Sequence, residues 1–455
     1  MSEKQYNFDE RYEFSGNTKK KLVILGIAGI LFLVIGIFMT MNAGDGHEDE
    51  HAQNLQETPS LLASAEGMET TFVAEGGEEH HGSPIWLKRV YISMWQNNVF
   101  FTGLAVIGLF FVAIQYAAQA GWSAGMIRIP ESFGYWLPFA AIFAIVLYFV
   151  AGADIFHWTH TDLYDTSSPN YDPIIADKRG FFFWPASEHS GFPVFWFARL
   201  ILFFGSWYWF FIKLRGLSLK EDIEGGTAHW TKARSISAWF LVFFGVSSSI
   251  AAWDWVMSID VHWFSTMFGW YVFASWWVSG LALIVLILAI LKGQGLLSIV
   301  NMDTIHDLGK YVFAFSIFWM YIWFSQFMLI YYANFPEEAI YFIERINTQY
   351  STFFYANLIL NFVFPFLLLM TRNSKRQLIF VKIVAVIVLL GHWLDYYLMV
   401  TPGTMKFDGA IGFTEIGVTM IFISLFLYVI LSNLAKAPLI AKNHPLLEES
   451  LHHHV

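Results

Sequence analysis

Residues 251–265 read AAWDWVMSIDVHWFS and join two long apolar runs of the chain. About 20 apolar residues cross the hydrocarbon core of a bilayer as a helix, and each flanking run reaches that length. The join nevertheless carries Asp254, Asp260 and His262 among three tryptophans. This stretch predicts a hairpin of two membrane helices whose shared end presents ionisable groups.

The composition of the whole chain agrees with a membrane protein. Hydrophobic residues make up 56% and aromatic residues 19% of the 455 residues, whereas charged residues make up only 14%. A soluble domain has about 25% charged residues. The chain has no cysteine, which excludes disulfides, Cys-ligated iron–sulfur clusters and covalently attached haem on it. No basic stripe is present, so a nucleic-acid partner is not expected.

Ten apolar runs are long enough to cross a membrane. The runs are continuous, which favours helices over membrane strands, whose residues alternate in polarity. The expected fold is therefore all-α and polytopic, with a membrane domain over residues 22–435. The ten predicted spans are 22–41, 98–118, 134–155, 192–214, 235–257, 263–291, 310–333, 350–371, 378–400 and 411–434.

The distribution of Lys and Arg predicts the orientation of these spans. Both residues fall mainly in the connections on the side of the N-terminus, which places that side in the cytoplasm. The tails 1–21 and 436–455 are then cytoplasmic, and the long loops 44–97 and 156–191 lie outside. The first loop begins with the acidic stretch GDGHEDEHAQNLQE, which is expected to be poorly ordered by itself. It ends in SPIWLKRVYISMWQNN, which is compatible with a segment along the membrane surface.

Ionisable groups inside membrane spans are costly, and they mark functional sites by default. In this topology the polar candidates all fall towards the outer side, and the inner halves of the spans hold almost no ionisable groups. A polar pocket or vestibule open to the outer face is the simplest account. The candidates are Asp154, His157, Arg199, Asp254, Asp260, His262, Gln326, His392, Asp395 and Glu415.

Two pairs among these candidates have the spacing of a proton-transfer site. Asp154 and His157 are three residues apart, as are His392 and Asp395, so each pair is expected to share one helix face. A carboxylate beside an imidazole fixes its tautomer and raises its basicity, and the pair can accept a proton from a ligand hydroxyl.

Structural roles compete with this interpretation for most candidates. The acids Asp154, Asp254 and Glu415 lie near span ends, where interfacial or capping roles are common. Asp260 and His262 fit a tight turn. Arg199 could neutralise a neighbouring acid or extend its charged group to the interface.

Two passages carry a resemblance to a known family. WDWVMSIDVHWFSTMFGWY, residues 253–271, and HWLDYYLMV, residues 392–400, resemble the integral membrane subunit lettered F of bacterial alternative complex III. That complex is a quinol:electron-acceptor oxidoreductase, and the subunit is related to the polysulfide-reductase membrane-anchor family. The similarity covers residues 20–435, and the passage around Asp254 is its most specific part.

The resemblance implies a fold and a set of partners. Spans two to five and six to nine would form two four-helix bundles, with spans one and ten peripheral. Quinol would bind near the outer face, with menaquinol as a candidate, and this chain would carry no metal or haem. The implied partners are a related ten-helix subunit, iron–sulfur and c-type haem subunits, and lipids.

The resemblance also implies roles for the polar candidates. Proton transfer is assigned to Asp154, His157, His392 and Asp395, and quinol binding to Asp254, Arg199 and Gln326. The expected function is that of a membrane subunit, not catalytic alone, that contributes a quinol pocket, a proton-transfer path or both in the bacterial cytoplasmic membrane.

Two other classes of function fit parts of the sequence. Ten spans with buried charges suit a secondary transporter, although such sites lie near the midplane and often at repeats, and no repeat is visible here. A b-type cytochrome needs axial histidines, and His392 is the only histidine well inside a predicted span.

Overall fold

The computed structural model describes residues 7–43, 83–185 and 191–453, and these ranges are mostly helical and contain no β-strand. Ten helices in them are long and apolar enough to cross a membrane, which confirms the all-α polytopic prediction. The acidic stretch 44–57 lies outside the described residues. The ten helices are α1 (Gly16–Ala43), α2 (Ile85–Ala117), α3 (Arg128–Ile155), α4 (Val194–Glu224), α5 (Ala228–Trp255), α6 (Phe268–Gly293), α7 (Met302–Ala333), α8 (Ser351–Leu369), α9 (Leu378–Met405) and α10 (Phe413–Leu434).

Contacts between helices divide the molecule into two bundles. Helices α2, α3, α4 and α5 contact one another in a closed ring, and so do α6, α7, α8 and α9. Helices α2, α5, α6 and α9 form the junction between the bundles. Helix α1 packs along α10, which rests on α2. This arrangement agrees with the expected pair of four-helix bundles and two peripheral spans.

Helices α1 and α10 approach each other closely through glycines. A Cβ at Gly29 would lie 2.8 Å from the Gly417 carbonyl oxygen, and one at Gly417 would lie 2.5 Å from the Leu33 amide nitrogen. The Ser424 hydroxyl also donates a 2.8 Å hydrogen bond to the Leu22 carbonyl. Small residues and polar contacts of this kind are what join helices in a membrane, where lipid removes the hydrophobic driving force.

Helix α2 differs from the sequence prediction. The segment 83–98, which was compatible with a surface position, instead contributes residues 85–98, about four turns, to the start of one 33-residue helix, Ile85–Ala117. Trp95, Gln96 and Asn97 in this part are buried among the other helices. Hydropathy missed these turns because their polar side chains are satisfied by neighbouring helices rather than by water.

The two tails meet at one end of the bundles. The Leu439 amide donates a 2.8 Å hydrogen bond to the Glu10 carbonyl, and Arg11 pairs with Pro438 in an isolated bridge. We call this end the tail face. The opposite end, the loop face, holds residues 156–185, residues 256–267 and a short amphipathic helix, Pro336–Ile346, between α7 and α8.

Candidate functional site

Asp395 is a buried carboxylate in the loop-face half of the second bundle. Its Oδ1 accepts hydrogen bonds from the Tyr271 hydroxyl and, at 2.8 Å, from Asn357 Nδ2. Its Oδ2 accepts one from Trp319 Nε1 at 3.0 Å. Each of the other three helices of the bundle therefore supplies one donor. Every donor is neutral, so the carboxylate is hydrogen-bonded without an ion pair.

His392 lies beside Asp395 on the same face of α9, as their spacing predicts. Its Nδ1 is 3.0 Å from the Ser275 hydroxyl and 3.8 Å from Asp395 Oδ2. Its Nε2 is buried and has no hydrogen-bond partner among the described residues. The imidazole therefore has one free nitrogen available to a ligand or a water, and its role in proton transfer stays a prediction.

A break in α8 and a glycine in α9 shape this site. Residues Ile359–Val363 form a π-helical turn just before Pro365. A proline ring clashes with the carbonyl four residues earlier, here that of Asn361, and such a turn relieves the clash. Asn361 Nδ2 then donates to Asn357 Oδ1 at 2.6 Å. A Cβ at Gly391 would lie 2.3 Å from Asn361 Oδ1, so only glycine permits this approach.

A small cavity adjoins the Asp395 site. Its volume is about 20 Å³, which is room for about one water molecule. Gln326 lines the cavity, and its Oε1 is buried without a hydrogen-bond partner in the described ranges. The side chains that line it include Tyr271, Trp323, Gln326, Tyr341, Arg345 and Asn357. Ligand pockets for drug-sized molecules are about 300–1,000 Å³, so a quinone ring needs movement of these aromatic side chains before it fits.

Arg199 and Asp254 form a buried ion pair in the first bundle. Arg199 Nε lies 2.6 Å from Asp254 Oδ2, and Nη2 lies 2.7 Å from Oδ1. The guanidinium also lies 4.3 Å from the ring centroids of Phe181 and Phe195. Both carboxylate oxygens are therefore occupied, which favours the neutralising role of Arg199 and a bracing role for Asp254. Their part in quinol binding stays a prediction.

Asp154 and His157 do not share a helix face, and that expectation is wrong. Helix α3 ends at Ile155, and Phe156 is extended, so His157 begins a separate 3₁₀ turn. Asp154 instead accepts hydrogen bonds from the Ser83 hydroxyl at 2.8 Å and the Ser83 amide at 3.2 Å. His157 is exposed on the loop face. The spacing argument fails here because it requires the helix to continue through both residues.

Three further candidates hold the loop face together. Glu415 caps α10 by accepting the Gly412 amide at 2.7 Å, and it pairs with Arg89 of α2 at 2.8 Å. Asp260 pairs with Arg345 at 3.0 Å. His262 Nε2 lies 2.5 Å from Asp172 Oδ2. The Glu415 contacts match the capping role that the sequence allowed, whereas Asp260 and His262 link their turn to distant residues.

A second buried charge network lies at the tail face, and the sequence analysis missed it. Arg128 pairs with Asp222 and, at 3.1 Å, with Glu131, which also pairs with Arg215. The Ser218 hydroxyl donates to Glu131 at 2.6 Å. These residues lie outside the predicted spans 134–155 and 192–214, so the structure corrects the bounds of those two spans. Helices α3 and α4 extend past their apolar runs, and the C-terminal segment covers their ends.

Some residues of the Asp395 site also escaped the sequence analysis. Asn357 and Asn361 form an amide pair four residues apart in an apolar span, which is a signal that could have been used. Tyr271 is the last residue of the stretch 253–271 that carries the family resemblance. No sequence signal distinguishes Trp319 from the many packing tryptophans.

Comparison with known proteins adds no relative. No protein-family model matches the chain, and no curated protein matches it. Function must therefore be inferred from the residues and their geometry.

Proposed function

We propose that this chain is a membrane subunit of a respiratory quinol:electron-acceptor oxidoreductase of the alternative complex III type. The observation that carries the proposal is the buried carboxylate–imidazole pair Asp395 and His392, next to a cavity in the loop-face half of the second bundle. The chain contributes a quinol pocket, a proton-transfer path or both, and is not catalytic alone.

The chemistry of quinol oxidation suits these groups. A quinol loses two electrons and two protons, and the protons need an acceptor within hydrogen-bond reach of the hydroxyl. His392 Nε2 has no partner in the described parts of the chain, and Asp395 has only neutral donors. The electrons pass to iron–sulfur or c-type haem groups on partner subunits.

The cavity supplies the features that a quinone ring needs. Trp323, Phe342 and Phe354 offer apolar faces, and Gln326 offers an amide for the ring oxygen. Binding sites for such ligands are mostly aromatic with a few polar groups. We expect the three aromatic side chains to move outward when the ring enters.

The distribution of charge supports a location for the complex. Lys and Arg concentrate in the connections of the tail face, which favours the bacterial cytoplasmic membrane with the tail face towards the cytoplasm. The Asp395 site then opens towards the periplasm. Its partners would be a related ten-helix subunit, the electron-transfer subunits and lipids, and menaquinol is a candidate substrate.

Membership in such a complex is tested by purification through an affinity tag on this chain. The expected product contains further subunits and shows the absorption of c-type haem and iron–sulfur groups. Purification of the chain alone from gently solubilised membranes, without those groups, would contradict membership.

The site is tested by turnover of the purified complex with a soluble quinol analogue. Asp395→Asn and His392→Ala are each expected to lower kcat by about 10²–10⁴, because a positioned proton acceptor contributes that much. Asp177→Asn, an exposed acid on the same face, is the control and should leave turnover unchanged. Unchanged turnover in both site variants would remove the working site from this chain.

A further inference from the structure

The two halves of α8 pack against different neighbours. Residues 359–369, which begin with the π-helical turn, pack against α7. Residues 351–358 pack against α9, where Asn357 is hydrogen-bonded to Asp395, and their backbone hardly approaches α7. A π-helical turn redirects a helix. Helices α7 and α8 therefore diverge towards the loop face and leave a wedge-shaped gap between them.

Aromatic side chains fill this gap. The Trp323 ring centroid lies 5.3 Å from that of Phe354 across the gap and 5.6 Å from that of Phe327. Phe342, on the short helix Pro336–Ile346, has its ring centroid 5.2 Å from that of Phe327. The short helix contacts α7, α8 and α9, and so covers the loop-face end of the gap. We call these four side chains the aromatic wall.

The aromatic wall lies between the cavity and the outer surface of the bundle. Trp323, Phe342 and Phe354 line the cavity and are only 5–8% exposed. Phe327 does not line the cavity; it stacks on Tyr331, with the ring centroids 5.8 Å apart, and Tyr331 is 71% exposed. A short row of rings therefore separates the cavity from the surface that a membrane-spanning helix presents to lipid.

The polar walls of the cavity are held differently. Tyr271 and Asn357 each donate a hydrogen bond to Asp395. Arg345 is 2% exposed, and its Nε donates to the Leu398 carbonyl at 2.8 Å. Displacing these side chains would leave buried polar groups without partners, which is costly, whereas opening the aromatic wall only separates rings. The aromatic wall is therefore the side of the cavity that opens most easily.

We propose that the aromatic wall is the entrance to the cavity from the membrane, and that the gap between α7 and α8 outside it binds the isoprenoid tail of the quinol. This inference rests on the proposed function. The ring enters from the lipid between the two helices, and the tail stays between them while the ring is bound. An apolar chain gains free energy from contact with the Phe and Tyr faces of the gap, in proportion to the area that it buries.

Photolabelling of the purified complex in lipid nanodiscs tests the position of the tail. One quinone probe carries a diazirine on the ring, and a second carries it on the first isoprene unit. The ring probe should label the cavity, and the tail probe should label residues 323–332 of α7 and 351–359 of α8. Labelling of α6 or α9 by the tail probe would overturn the proposed entrance.

A charge in the gap gives a second readout. Phe327→Asp places a carboxylate outside the cavity, so KM for an isoprenoid quinol should rise at least about tenfold, because the tail loses apolar contact. KM and kcat for a tailless analogue should stay at the wild-type values. Phe327→Leu, which remains apolar, should leave KM for both quinols close to that of the wild type.

Phe149→Asp is the matched control, because it makes the same change at a 65% exposed position of α3 in the first bundle. It should leave both KM values unchanged. An equal effect of Phe327→Asp on the two quinols, or an effect on neither, would overturn the tail site. Photolabelling is done on the wild type, so it decides the question even where Phe327→Asp fails to fold.

The two proposals fail in different ways. Labelling of the cavity by the ring probe, with the tail probe bound elsewhere, would overturn the entrance alone. Labelling of another subunit by both probes would overturn the quinol site of this chain and the entrance with it.

Discussion

At the scale of single residues, two buried aspartates are satisfied by different chemistry. Asp254 is paired through both oxygens with the guanidinium of Arg199. Asp395 accepts only neutral donors and has an imidazole 3.8 Å away. Protonation of a carboxylate in a close ion pair leaves its buried partner charge unpaired. It therefore costs far more free energy than protonation of a carboxylate that is held by neutral donors. This difference favours proton transfer at Asp395 and a structural role for Asp254.

Gly391 gives a sharp test of how this site is built. In Gly391→Ala the new Cβ would lie 2.3 Å from Asn361 Oδ1 and 2.8 Å from Leu360 Cβ, so α8 must move. We expect a loss of about 1–3 kcal/mol in the free energy of unfolding, because overpacking forces such shifts. Turnover should fall too, since Asn357 moves with α8. Thermal unfolding and a quinol oxidation assay measure the two effects.

Gly245→Ala is the matched control for that substitution. A Cβ at Gly245, in α5, meets nothing within 4 Å. Alanine favours a helix over glycine by about 1 kcal/mol, so this variant should be as stable as the wild type or more so. Equal free energies of unfolding and equal turnover in the two variants would show that the contact between α8 and α9 is not tight.

At the scale of elements, the C-terminal segment is a structural part of the tail face. Asn443 Nδ2 donates to the Asp222 carbonyl at 2.9 Å, and the Ser450 hydroxyl donates to the Trp122 carbonyl at 3.2 Å. His453 Nε2 lies 2.5 Å from Asp307 Oδ2. The segment thus joins the ends of helices from both bundles and covers the buried charge network.

His444 makes the attachment of this segment sensitive to pH. Burial lowers the pKa of His444 from its ordinary value of 6.5 to about 4, and its Nδ1 accepts a 3.2 Å hydrogen bond from the Leu446 amide. The folded state therefore favours the neutral ring, and its stabilisation is lost as the pH falls from 6.5 towards 4. Protection factors of residues 436–453, which correct hydrogen exchange for its intrinsic pH dependence, should be lower at pH 5 than at pH 7.5.

Two variants test whether His444 causes the pH effect. His444→Gln should remove most of the difference between the two pH values, because glutamine does not titrate. His452→Gln, which changes an exposed histidine of the same segment, should retain it. Equal protection factors at both pH values in the wild type would contradict a pH-dependent attachment.

At the scale of the whole molecule, hydropathy was enough to find ten helices, because each apolar run must bury its backbone polar groups in a membrane helix. It was not enough to find where the helices end. Arg128 and Asp222 are 94 residues apart in the chain, and their ion pair offsets the free-energy cost of taking both charges out of water. A hydropathy window is too short to include both partners of such a pair, so both residues were assigned to connections.

The candidate site likewise combines residues that the sequence indicates with residues that only the packing of the helices brings together. His392 and Asp395 were recognisable, because two ionisable groups at helical spacing inside a span need a partner or a function. Asn357 and Trp319 became part of the site only through the packing of α7 and α8 against α9.

We propose that the cavity beside Asp395 receives a quinol. A structure of the purified complex with a bound quinol-analogue inhibitor tests this directly. We expect the ring between displaced Trp323, Phe342 and Phe354, with a ring oxygen within about 2.6–3.2 Å of Gln326 or His392. Inhibitor bound only in another subunit, with these side chains unmoved, would contradict it.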